Sequence, residues 1–91
     1  MPQTIFLPLS NRQRIILEVV FQFLEQKRYP PTILEIQEGA SLGNPGLVFK
    51  ALQALEDKGY IVRTKSKHRS VRLTEIGREF IESARQLNLT I

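Results

Sequence analysis

The clearest signal along the chain is periodic. Ile16, Val19, Val20, Phe23 and Leu24 fall at the spacing of one buried helical face. They lie in a segment from Asn11 to about Lys27 that follows Ser10, a good N-cap. Ile15 and Phe21 widen the stripe past the usual ~100° arc, so this helix has protein packed on a second side. The run Tyr29-Pro30-Pro31-Thr32 stops it, because a residue before proline is pushed out of the α region. Thr32 and Glu35 then form a capping-box pattern, threonine accepting from a first-turn N–H and glutamate reaching back to the threonine N–H. A short second helix follows, about Ile33 to Glu38, ending near Gly39.

Residues 40–43 make a tight connection to a third helix. Asn44 caps it, and Pro45 takes the first helical position, where its missing N–H is not needed. Val48, Ala51, Leu52 and Leu55 form its inward face, and Gly59 sits where a left-handed residue usually closes a helix. Two strand-like runs, Tyr60 to Thr64 and Ser70 to Leu73, flank a polar basic loop and predict a hairpin. Thr74 caps a final helix, about Glu75 to Leu87, with Ile76, Phe80, Ser83 or Ala84, and Leu87 on one side.

The expected fold is therefore mainly α with a small β-hairpin: a winged helix-turn-helix, three helices plus a wing, with an additional C-terminal helix. Residues 1–9 form an N-terminal segment, 10–74 the winged domain and 75–91 the terminal helix. In such a fold the first two helices brace the third, which can lie in the major groove of duplex DNA while the wing reaches toward the phosphates.

Charge sharpens this picture. The net charge is +4, and residues 58–72 hold six basic side chains (Lys58, Arg63, Lys65, Lys67, Arg69, Arg72) and no acidic one. The residues on either side are slightly acidic, so the whole excess sits in one stretch, which suggests a polyanionic partner. With no cysteine, the 91 residues offer neither disulfides nor thiolate metal sites. Nothing approaches the ~18 apolar residues of a membrane span, and the N-terminus lacks the pattern of a signal peptide. The expectation is a cytoplasmic domain without cofactor.

On the third helix, Asn44 is first a cap, and a helix N-terminus also suits a phosphate. Gly46, Leu47, Phe49 and Lys50 form the exposed first turn. Leu47 and Lys50 point away from the inward face; lysine can donate to guanine O6 or N7, and leucine can pack on a thymine methyl. Phe49 lies ~100° from Val48, which leaves it at the core rim, toward DNA or toward a protein partner. In the wing, Lys65, Lys67, His68 and Arg69 suit phosphate contacts, and Arg69 also suits a narrow minor groove. His68 is the only histidine and makes a poor metal ligand. No nucleophile motif or phosphate loop occurs, so no enzyme activity is expected.

Several segments resemble the DNA-binding domain of the LexA family of SOS repressors. These are Ser10-Asn11-Arg12-Gln13, the PPT-x-x-EI run at Pro30 to Ile36, Pro45 at the start of the third helix, AL-x-x-KG at Ala54 to Gly59, and R-x-V-R-L at Arg69 to Leu73. The likeness runs from Leu9 to Thr74. It implies a bacterial transcriptional repressor that binds operator DNA as a dimer.

The chain departs from the family pattern in three places. Family members continue into a self-cleaving domain with a Ser-Lys dyad, whereas this sequence ends at Ile91, so a cleavage-triggered switch is not expected of it. The family's base-reading positions are polar, typically serine, asparagine and glutamates, where this chain has Asn44, Gly46, Leu47, Phe49 and Lys50. Residues 75–91 read as an amphipathic helix, not a hinge. That helix is expected to form a homodimer through Ile76, Phe80, Ala84 and Leu87, joined by Ile5, Phe6 and Leu7, or else to fold back on its own domain. The competing functional reading is a protein-interaction module whose apolar third-helix tip is buried against a partner.

Overall fold

The structure, a computed structural model, describes residues 6–88, with side chains to residue 86. Helix α1 (Asn11–Lys27) starts at Ser10, whose hydroxyl accepts from Gln13 N–H while the Gln13 side chain accepts from Ser10 N–H, a complete capping box. It ends at Arg28, which turns into the left-handed region (φ 68°) and donates to Leu24 O. Helix α2 (Ile33–Gly39) carries the expected Thr32–Glu35 capping box. Helix α3 (Pro45–Asp57) starts at Asn44, whose Oδ1 accepts from Gly46 N–H at 2.7 Å. At its far end Gly59 adopts φ 85° and donates to Glu56 O, and Tyr60 donates to Leu55 O. That pair of bonds is a Schellman closure, and it aims the chain into the hairpin.

The hairpin is shorter than the sequence suggests. Strands β1 (Ile61–Val62) and β2 (Arg72–Leu73) pair antiparallel, Ile61 opposite Leu73 and Val62 opposite Arg72. Beyond them the Ser70 hydroxyl takes both the N–H and the C=O of Thr64 (3.0 and 2.9 Å). A side chain thus replaces the next rung of the backbone ladder, which is why strand pairing stops there.

The core joins Ile16, Leu17 and Val20 of α1, Ile36 of α2, Val48, Leu52 and Leu55 of α3, and Tyr60, Ile61 and Ile81, all at most 1% exposed. Leu17, which the periodic stripe does not select, is fully buried, whereas Phe23 is only half-buried. The Phe21 side of α1 is covered by α4 (Glu75–Asn88), whereas Ile15, the other residue that widens the stripe, is 51% exposed. Arg85 of α4 pairs with Glu18 at 3.1 Å and lies 4.6 Å over the Phe21 ring.

Helix α4 presents a different face from the one expected. Its buried residues are Gly77 and Ile81, each one position after the Ile76 and Phe80 of the predicted stripe. The reason is steric: a Cβ on residue 77 would come within 2.2 Å of Tyr60 O, so only glycine lets this backbone lie against the start of β1. Phe80 is half-buried and packs edge-on to Phe6 and Tyr60 of its own chain. Ile76 is 39% exposed and Ala84 is partly buried. Ile5 and the Leu87 side chain lie outside the described residues. The N-terminal segment is strapped down by Tyr60 Oη donating to Leu7 O and by Lys58 Nζ donating to Pro8 O and Gln13 Oε1 (2.8 and 2.9 Å). No helix among the described residues is long and apolar enough to cross a membrane.

Candidate nucleic-acid interface

The wing and the outer side of α3 form one continuous surface. Opposite the buried Val48, Ala51, Leu52 and Leu55, the outward pole of α3 carries Gly46, Lys50, Gln53 and Asp57. Phe49, 51% exposed, flanks this pole on the wing side and shares a groove with Pro31, Ile33, Lys65, Lys67 and His68. Leu47 flanks it on the other side, half-buried near Ser10, Arg12 and Gln13 at the start of α1. Lys50 lines the same shallow pocket, between Leu47 and the outward pole.

Two arginines of the basic stretch brace the wing. Arg63 donates through Nε to Glu56 Oε1 and through Nη2 to Gln53 Oε1, both at 3.2 Å, tying the wing base to α3. Arg69 meets Glu35 through both terminal nitrogens (2.8 and 3.2 Å), donates to Pro30 O at 3.1 Å and lies 4.9 Å over the Tyr29 ring. Lys58 is used on the N-terminal strap. Among the described residues, Lys50, Lys65, Lys67 and Arg72 have no ion pair. His68 is exposed at the wing tip. The charge concentrated in residues 58–72 therefore divides into structural cations and free ones. The free ones project from the wing and, with Lys50 of α3, can neutralise phosphates.

Glu35 is the junction of α2 and the wing. Its carboxylate accepts from Thr32 N–H and from Arg69, and both hold its pKa below the ordinary 4.5, the backbone bond contributing most. A lowered carboxylate pKa stabilises the fold above its unfolded value, and that contribution is lost as pH falls through the folded value. Acid unfolding of a Glu35→Gln variant, followed by circular dichroism, should therefore be less steep than wild type as pH falls below the ordinary 4.5.

Gln53 and Arg12 of this surface escape a reading of the sequence. Gln53 follows Lys50 by three residues and Gly46 by seven, so helical spacing alone was enough to find it. Arg12 reaches the surface because α1 starts beside α3, with no local signal; Arg72 belongs to the basic stretch, but its place beside Val62 is set by strand pairing.

The LexA DNA-binding domain model matches residues 7–70, most of the winged fold described above. The chain belongs to the LexA DNA-binding domain family. Relatives of this family member include the LexA repressor of Lactobacillus johnsonii, 38% identical over 72 residues, covering 79% of this chain and 35% of that protein. The LexA repressor of Carboxydothermus hydrogenoformans is 40% identical over 65 residues, 71% of this chain and 32% of its own length. That of Geobacillus thermodenitrificans is 40% identical over 67 residues, with 74% and 32% covered. The chain spans about one third of the length of these relatives.

Proposed function

We propose that this domain binds duplex DNA sequence-specifically and acts in the cytoplasm as a transcriptional repressor, with α3 in the major groove and the wing along the backbone. The observation that carries this reading is the placement of the unpaired cations Lys50, Lys65 and Lys67 on the one surface made by α3 and the wing. In this arrangement the positive N-terminal end of α3, at Asn44 and Gly46, approaches a phosphate. Lys50 donates to guanine O6 or N7, Gln53 lies beside it on the same pole, and Phe49 packs on a thymine methyl or sugar next to the wing. Lys65, Lys67 and His68 follow the backbone.

The proposal includes pairing of two copies, which places two recognition helices about one DNA turn apart. With Phe80 engaged inside its own chain, Ile76 is the large apolar residue of α4 that stands exposed among the described residues. Sedimentation of the DNA complex should show two protein chains per duplex; a single chain on every duplex contradicts the dimer. The exposed Phe49 is what favours the competing protein-binding reading, and the two readings part over salt. Selection from a random-sequence duplex pool across a salt series should yield a steep salt dependence and an enriched, roughly palindromic motif. No retention even at low salt overturns the DNA reading and leaves Phe49 as the centre of a protein interface.

A further inference from the structure

Arg69 occupies an unusual position for a wing cation. Its backbone is left-handed (φ 53°), a conformation that a non-glycine residue adopts only when its surroundings hold it there. The guanidinium is held on four sides: two bonds to Glu35, one to Pro30 O, and the Tyr29 ring beneath it. An isolated surface ion pair contributes little. This contact is bidentate, shares its carboxylate with a helix capping box and is backed by an aromatic ring, which itself meets Phe23 edge-on. It bridges 34 residues, from the end of the wing to the first turn of α2.

Resting on the DNA-binding reading above, we infer that Arg69 is a positioning residue for DNA recognition and not a phosphate ligand. Latched onto Glu35, Pro30 and Tyr29, it sets where the wing stands beside α3, and so where Lys65 and Lys67 meet the backbone. Arg63 fixes the base of the wing to Gln53 and Glu56; Arg69 fixes its returning limb to α2. Without the second tie, the loop between Thr64 and Ser70 keeps its own hydroxyl staple but loses its orientation toward the groove.

The two roles for Arg69 make opposite demands on its neighbours. If it were a phosphate ligand, removing the Glu35 charge would free it and tighten binding, and lysine would replace it well. As a latch, it needs Glu35 and it needs a planar guanidinium, because an ammonium cannot bond two carboxylate oxygens and a carbonyl while stacking on tyrosine.

The test measures binding of wild type, Glu35→Gln, Arg69→Lys, Arg69→Gln and the Glu35→Gln/Arg69→Gln double variant. The probe is a duplex that the wild type has selected from the random pool, titrated over a salt series, with circular dichroism confirming the fold of each variant. The latch gives about tenfold weaker binding for Glu35→Gln and for Arg69→Lys, and a double variant little worse than either single. The salt slope of Arg69→Lys stays within half a counterion of wild type. Tighter or unchanged binding by Glu35→Gln overturns the inference, as does wild-type affinity in Arg69→Lys, while leaving the DNA-binding reading intact. Failure of the wild type itself to retain any duplex at low salt is distinct from both and overturns the reading on which the inference rests.

Discussion

Replacing Lys65 and Lys67 together by glutamine is expected to weaken duplex binding about tenfold or more at physiological salt and to lower the salt slope by about two. Both ammonium groups are exposed, neither has an ion pair among the described residues, and they stand on the wing next to the groove that Phe49 shares. Each phosphate they neutralise releases close to one counterion, so the loss grows as salt is lowered. Substituting Lys58, another cation of the same stretch, acts differently. Its Nζ holds Pro8 O and the Gln13 side chain, so Lys58→Gln should lower thermal stability and leave the slope unchanged. Parallel salt titrations and melting curves of the two variants separate the roles. Equal slopes for the Lys65/Lys67 variant and wild type would remove the wing from the interface.

The largest stability effect is expected from Gly77→Ala, at about 3 kcal/mol, or a fall in Tm of about 15 °C. Alanine is ordinarily the better helix residue by ~1 kcal/mol, so a loss in this direction isolates the packing term. The new methyl would sit 2.2 Å from Tyr60 O and 3.4 Å from Leu73 Cβ. The carbonyl cannot step aside, because it accepts the Thr74 N–H at 3.0 Å, and Thr74 in turn caps α4 through Gly77 N–H and donates to Gly59 O. Helix α4 must therefore lift, pulling Ile81 out of the core and Phe80 away from Tyr60. Gly43→Ala is the control: nothing lies within 4 Å of its Cβ position, and melting should be almost unchanged. A Gly77→Ala protein as stable as wild type would mean that α4 is not seated against the hairpin.

Local signals made most of the fold legible in the sequence. The caps at Ser10, Thr32 and Asn44 and the left-handed Gly59 act over three to five residues, and each sets a helix end where it was expected. The winged order of helices and hairpin follows from them. Features decided by distant residues were not legible. Arg69 looks like any wing cation until Glu35, 34 positions earlier, is beside it. Lys58 adds to the local charge count, yet its partner atoms belong to Pro8 and Gln13. The face of α4 follows from a backbone contact at Gly77, whereas hydrophobic spacing alone selects Ile76 and Phe80. Strand length likewise depends on Ser70, whose hydroxyl competes with the ladder. At the candidate interface, helical period identified the outward position of Lys50. It could not show that Leu47 and Lys50 share a pocket with Arg12 of α1.

The central claim is that the surface made by α3 and the wing receives duplex DNA. The most direct test is an NMR titration of the 15N-labelled protein with a duplex drawn from the selected pool, at low and at high salt. Amide shifts are expected in Gly46 to Gln53 and Thr64 to His68, fading as salt rises, with Gly77 to Gln86 of α4 unmoved by the groove contact itself. Absence of shifts at low salt, or shifts confined to α4 and the outer side of α1 around Ile15, would contradict it.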